Sequence, residues 1–205
     1  MKREIEAGLV IFVVMTFFVS LYFDNAIITK ISEIRTPFFD NFFLIITYIS
    51  SKTVFFIFLT SLFVWKEEKR RWVVPLWISL MFSGLIAFIL KYTVQKQRPF
   101  QQGLISVMPS LVEKSYSIWN FSFPSSHSML AFCALPILSQ QFPKLKKIWV
   151  GFAVIVALSR VYLGLHFLSD VVAGALIGYV IGEIIVKKEK ETHFGKRIYD
   201  KVMRR

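Results

Sequence analysis

The chain has 205 residues, 25 Lys and Arg against 13 Asp and Glu, a net charge of +12, and 55% hydrophobic residues. That apolar share, with a strongly positive mean hydropathy, excludes an ordinary soluble single-core domain and describes an all-α integral membrane protein. The positive charge falls in short runs between apolar segments, which argues for a lipid bilayer and against nucleic acid as its partner.

Ile5 to Phe23 is long enough to span, and Leu21-Tyr22-Phe23-Asp24-Asn25 lacks the small residues of a signal-peptidase site, so a retained first helix is expected. From Ala26 to Phe39, Ile27, Ile28, Ile31 and Ile34 alternate with Lys30, Glu33 and Arg35, a helical pattern with a polar face that predicts an interfacial helix. Asn41 to Trp65 is interrupted at Ser50-Ser51-Lys52, which predicts a short interfacial helix and then a second span from about Thr53. Further spans are expected at Trp72 to Leu90, His127 to Phe142, Ile148 to Leu163 and Leu168 to Val186. Residues 1–186 then form one six-helix domain and residues 187–205 a basic tail. Lys2-Arg3, Lys66, Lys69-Arg70-Arg71, Lys144, Lys146-Lys147 and the tail share one side, so both termini are expected in the cytoplasm of a cell or inner membrane. Cys133 stands alone in an apolar run, which excludes an intrachain disulfide and paired-cysteine metal or redox sites. Gly174, Gly178 and Gly182 give the last span a smooth face, expected to pack within the monomer in preference to dimerising, and the protein is expected to be a monomer or weak homo-oligomer.

Three polar clusters interrupt this apolar chain, all on the predicted outer face. Such groups at the ends of spans are a functional-site signal. If the third helix continues past Leu90, Lys91 and Arg98 lie two turns apart on one face and Pro99 ends it. Arg can hold two phosphate oxygens at once and Lys adds a point charge, although the pair taken alone reads more readily as snorkelling interfacial cations. Pro124-Ser125-Ser126-His127 opens a helix whose free amides favour an anion, while His127 alone is also an ordinary interfacial histidine. His166 precedes Asp170 by one helical turn, so Asp170 can accept from one ring nitrogen and leave the other with a lone pair; a structural helix cap is the alternative. Ser159-Arg160 adds a further cation.

Taken together, Lys91 with Arg98-Pro99, Pro124-Ser125-x-His127 and Ser159-Arg160 with His166 and Asp170 resemble the signature of the type 2 phosphatidic acid phosphatase superfamily. The resemblance runs from Lys91 to Asp170, with one departure: Ser126 stands where the family usually has Gly. It implies a membrane lipid phosphatase in which His166 attacks phosphorus, Asp170 orients it and His127 protonates the leaving oxygen. Lys91, Arg98, Arg160, Ser125 and Ser126 would hold the phosphate oxygens. No cofactor is implied, and three cations around the histidines would repel a metal ion. The expected substrate is a lipid phosphate or diphosphate such as undecaprenyl diphosphate, phosphatidylglycerophosphate, phosphatidic acid or a lipid A phosphate, met from the periplasm or exterior. The loop from Phe100 to Phe123, with Ile105, Leu111, Trp119 and Phe121, is either a lid shaping lipid entry or part of an aromatic belt. The competing function is a lipid-phosphate binding or transport module without catalysis.

Overall fold

The structure is a computed structural model that describes residues 2–107, Leu111 and residues 121–203. Among these the regular elements are all helical: α1 (Lys2–Glu33), α2 (Pro37–Ile49), α3 (Lys52–Val64), α4 (Val73–Val94), α5 (Ser126–Gln141), α6 (Lys146–Tyr162), α7 (Leu168–Thr192) and α8 (Phe194–Met203). A 3-10 segment, Glu67–Trp72, leads into α4. Phe12, Phe18, Tyr22, Ile57, Met81, Phe88, Ile148 and Ile184 are exposed, as lipid-facing side chains must be. The segments Ile11–Glu33, Glu67–Val94 and Leu168–Thr192 are each long and apolar enough to cross a membrane, and α2 with α3, bent by 61°, passes the same test only as a pair, as a broken span or a re-entrant loop. The chain is thus a multi-pass membrane protein.

Two expected elements take a different form. The interfacial helix after the first span does not exist as a separate piece, because α1 continues through it to Glu33. No Gly or Pro interrupts the chain from Ala26 to Glu33, and Ile27, Ile28 and Ile31 turn their face onto Phe167 and Val171 instead of onto lipid headgroups. Arg35 then closes the turn into α2, binding Asp40 at 2.9 Å and the Ser106 carbonyl. The break at Ser50-Ser51 is real, with α2 on one side and α3 on the other. Nor does helix structure stop at Val186: α7 runs to Thr192, and buried Glu189 accepts the Gly195 and Lys196 amides at the start of α8. The tail is therefore folded back toward the start of α4, where Gly195 meets Pro75.

The tightest contact joins α5 and α7. A Cβ placed on Gly174, Gly178 or Gly182 would lie 2.7, 2.3 and 2.3 Å from the carbonyl oxygens of Ser125, Met129 and Cys133. The four-residue glycine spacing on α7 thus matches a four-residue carbonyl spacing on α5, and the stripe packs inside the monomer as its smooth face predicts. Elsewhere the core is ordinary apolar packing, with Phe55, Leu59, Phe63, Leu76, Leu80 and Ile137 buried together. Gly178→Ala should destabilise the protein by about 1–3 kcal/mol through this backbone contact. Gly151→Ala, on an open face of α6, should leave stability unchanged or raise it. Thermal unfolding in detergent checks both; equal melting temperatures for the two variants would contradict the close approach.

Candidate active site

All three clusters meet at one end of the helix bundle, where α4 and α6 finish and α5 and α7 begin. α4 ends earlier than the spacing of Lys91 and Arg98 predicts. Gln95 adopts the left-handed conformation at φ 51°, so Arg98 follows the helix in a turn of its own and the two cations do not share a helical face. They still converge, since both line a cavity of about 970 Å³ together with Ser126, His127, Arg160 and His166.

His166 lies in the turn between α6 and α7. That turn needs Gly164 at φ 70°, and its amides at Leu165 and His166 return to the Arg160 carbonyl at 3.1 and 3.2 Å. A Cβ at Gly164 would also lie 2.5 Å from Ile105, so the Phe100-to-Phe123 loop is anchored here at its near end. Trp119 lies outside the described residues, and with it the test of a lid. The His166 ring is buried, with Nε2 3.4 Å from an Arg98 guanidinium nitrogen that also donates to the Leu165 carbonyl at 2.9 Å.

Asp170 sits in the first turn of α7, where its Oδ2 accepts the Phe167 amide at 2.9 Å. Its separation from His166 Nδ1 is 3.8 Å, longer than a hydrogen bond. The Ser122 hydroxyl stands between them, donating to Asp170 Oδ2 and lying 3.5 Å from His166 Nδ1. A serine hydroxyl thus bridges the space between carboxylate and ring. Asp170 Oδ1 accepts from Lys96 at 2.9 Å, and Lys96 in turn binds Asp24 of α1 at 2.9 Å.

Arg160 is buried at the end of α6 and donates to Thr47 Oγ1 of α2 at 3.1 Å, while its Nε–H has no acceptor among the described residues. Lys91 donates to the Phe121 carbonyl. Ser126 is the first residue of α5 and lines the cavity without a positive φ, so Ser in place of the usual Gly carries no backbone strain. Ser125 has a different place. It is fully buried, its amide donates to the Asp170 carbonyl at 3.0 Å and its hydroxyl accepts from Ser128, so it fastens α5 to α7 and is absent from the cavity wall.

Sequence reasoning missed Ser122, Thr47 and the Asp24–Lys96 pair. Asp24 did carry a signal, a carboxylate inside an apolar helix, and Lys96 was visible as one more cation between Lys91 and Arg98. Nothing in the sequence marks Ser122 or Thr47.

The sequence profile of the PAP2 superfamily matches residues 72–192, more than half of the chain. The chain belongs to the PAP2 superfamily. A lipid A 1-phosphatase of Rhizobium johnstonii is 30% identical over 106 residues, 50% of this chain and 42% of its own length. Phosphatidylglycerophosphatase B of Bacillus subtilis is 36% identical over 108 residues, 47% of this chain and 48% of its own. An undecaprenyl-diphosphatase of Sulfolobus acidocaldarius is 31% identical over 134 residues, 63% of this chain and 61% of its own. The chain thus spans about half the length of the first two relatives and less than two thirds of the third. The crystal structure of a transmembrane PAP2-type phosphatidylglycerolphosphate phosphatase from Bacillus subtilis superposes with a TM-score of 0.69 at 22% identity, covering 89% of this chain and 96% of that one, a likeness of fold. The structure of LpxE from Aquifex aeolicus gives 0.61 at 28% identity, covering 78% and 92%.

In this PAP2 site, burial first, and then the charges of Arg98, Lys91 and Arg160, hold the His166 imidazolium well below its ordinary range near 6.5. The folded protein therefore keeps His166 neutral where an unfolded chain would protonate it. Its contribution to stability is complete above 6.5 and declines as pH falls below that value, by up to about 1.4 kcal/mol per pH unit. Melting temperature followed from pH 7.5 downward should fall less steeply in His166→Asn than in the parent; parallel curves would count against a neutral buried ring.

Proposed function

We propose that this PAP2 protein is a metal-independent lipid phosphate phosphatase working through a phosphohistidine at His166. The observation that carries the reading is the shape and lining of one cavity. At its polar end lie His166, His127, Lys91, Arg98 and Arg160; from there it follows one face of α4 through Phe88, Gly84, Met81, Leu80 and Trp77, opposite Phe55 and Phe56 of α3. Lys91 to Trp77 is about 21 Å of helix, roughly two thirds of a hydrocarbon core. A phosphate with a long apolar tail fits such a space; a small polar phosphoester would leave most of it unused.

The reaction follows from the polar end. His166 Nε2 attacks phosphorus while Nδ1–H remains on the Ser122 and Asp170 side, which stabilises the imidazolium character acquired as the N–P bond forms. The bond from phosphorus to the leaving oxygen breaks, and His127 supplies the proton that oxygen needs. His127 then takes a proton from the water that attacks the phosphohistidine, releasing phosphate and restoring both histidines. Charge on the non-bridging oxygens meets Lys91, Arg98, Ser126 and the Nε–H of Arg160, which has no acceptor among the described residues. Cations at four positions, Lys52 with Lys91, Arg98 and Arg160, also make the cavity a poor home for a metal ion.

The substrate class is a lipid phosphate or diphosphate: undecaprenyl diphosphate, phosphatidylglycerophosphate, phosphatidic acid and lipid A 1-phosphate all have this chemistry. The outer face is favoured because Lys69-Arg70-Arg71, Lys144, Lys146-Lys147 and Lys187-Lys188 gather at the opposite ends of the helices, where positive charge marks the cytoplasmic side.

Purified parent protein should release inorganic phosphate from detergent-dispersed lipid phosphates in the presence of a chelator, and His166→Ala should lower the rate by at least about a thousandfold with folding retained. Undiminished turnover in that variant would falsify the nucleophile. Binding without turnover in the parent would favour a non-catalytic module. The apolar arm of the cavity has its own test. Gly84→Phe, at a position with open space around it, should raise KM for long-chain lipid phosphates several-fold and leave a short-chain analogue little changed.

A further inference from the structure

We propose that Asp24 and Lys96 are positioning residues for the phosphoryl-transfer step, so that α1 supplies a second carboxylate controlling the geometry and net charge around Asp170. The inference rests on the reading of His166 as nucleophile and Asp170 as its partner. Asp24 lies far outside residues 72–192, the stretch that carries the family match.

The geometry is specific. Lys96 Nζ stands 2.9 Å from Asp24 Oδ2, 2.9 Å from Asp170 Oδ1 and 2.9 Å from Ser169 Oγ, above the Phe167 ring at 4.3 Å. Asp24 is itself buried and takes both the amide of Ser169, at 3.0 Å, and its hydroxyl. Three consecutive charges, negative on Asp24, positive on Lys96 and negative on Asp170, thus end 3.8 Å from His166 Nδ1.

Holding α1 in place does not explain this arrangement. α1 already packs through Ile27, Ile28 and Ile31, and a buried ion pair stabilises no better than apolar side chains of like volume. The charges do explain it. Lys96 fixes one oxygen of Asp170 and so aims the other at Ser122 and His166, but an uncompensated ammonium there would cancel the negative charge that the phosphorylated imidazole requires. Asp24 cancels the ammonium instead. The triad keeps one net negative charge while Asp170 stays held at both oxygens.

Changing one charge at a time unbalances the triad, and changing two restores it. With full-length protein in detergent and a short-chain phosphatidic acid as probe, Asp24→Asn should lower kcat by about tenfold to a hundredfold and leave KM within about twofold. Lys96→Met, which leaves two carboxylates facing each other, should also lose kcat. The double variant Asp24→Asn/Lys96→Met returns the net charge to one negative and should exceed the poorer single variant by about tenfold. Asp24→Glu should keep most of the parental kcat. A purely structural pair predicts additive losses that track melting temperature; that result, or an Asp24→Asn variant within about twofold of the parent, overturns the proposal. If Asp24→Asn does not fold, the comparison of Lys96→Met with the double variant decides alone. A parent that hydrolyses no lipid phosphate defeats the phosphatase reading and this inference with it.

Discussion

Asp170 is the residue on which the geometry of the site depends. Its carboxylate receives Ser122 from the segment before α5, Lys96 from the turn after α4 and the amide of Phe167. Its own carbonyl receives the amide of Ser125 at the head of α5. Two stretches of chain far away in sequence, the turn after α4 and the segment from Ser122 to Ser125, are thereby referred to one side chain and one peptide unit in the first turn of α7. A carboxylate suits that task because it is acceptor-only, can take several donors, and gains from the free amides and positive end of a helix N-terminus. The contact with Ser125 is possible only because glycine at 174 lets the α5 carbonyls come close to α7. Packing and site chemistry are therefore one constraint seen at two depths of the same helix pair.

That constraint also divides the labour among the serines and cations. Ser125 is spent on helix-to-helix attachment and Ser126 faces the cavity, although the two are neighbours of the same type. Arg160 is held at one nitrogen by Thr47 and has another without an acceptor among the described residues, whereas Lys91 and Arg98 are tied to backbone carbonyls of the turns around them. For Lys91 and Arg160 the contacts made by the described residues, to a carbonyl and a hydroxyl oxygen, orient the group without neutralising its charge, an arrangement suited to an anion whose charge grows during reaction.

The fold was legible where apolar length or a polar interruption carried the information: the breaks at Ser50-Ser51, near Leu145 and at Gly164 fall where the residues suggest. It was misleading between Ala26 and Phe39. There an amphipathic pattern reads the same whether the polar face meets water or the apolar face meets protein, and only tertiary packing decides. The site was legible as residue types at fixed spacing, because phosphate recognition needs cations and proton transfer needs imidazole. Which contacts aim those groups was not. Ser122, Thr47 and the Asp24–Lys96 pair act across long sequence separations, and a serine or threonine in an apolar protein has many ordinary reasons to be there.

The two helices that carry His127 and Arg160 are short. α5 has 16 residues and α6 has 17, so each rises only about 24–26 Å, against about 30 Å for a hydrocarbon core. Their neighbours α4 and α7, of 22 and 25 residues, are long enough to reach both surfaces. Only α6 of the two presents exposed side chains, with Ile148, Val150, Val154, Ile155 and Leu158 on its outer face, whereas α5 is enclosed by its neighbours and exposes none. A helix shielded from lipid is free of the length that a hydrocarbon core imposes, so α5 can begin and end where the polar cluster needs it while its longer neighbours α4 and α7 reach both surfaces.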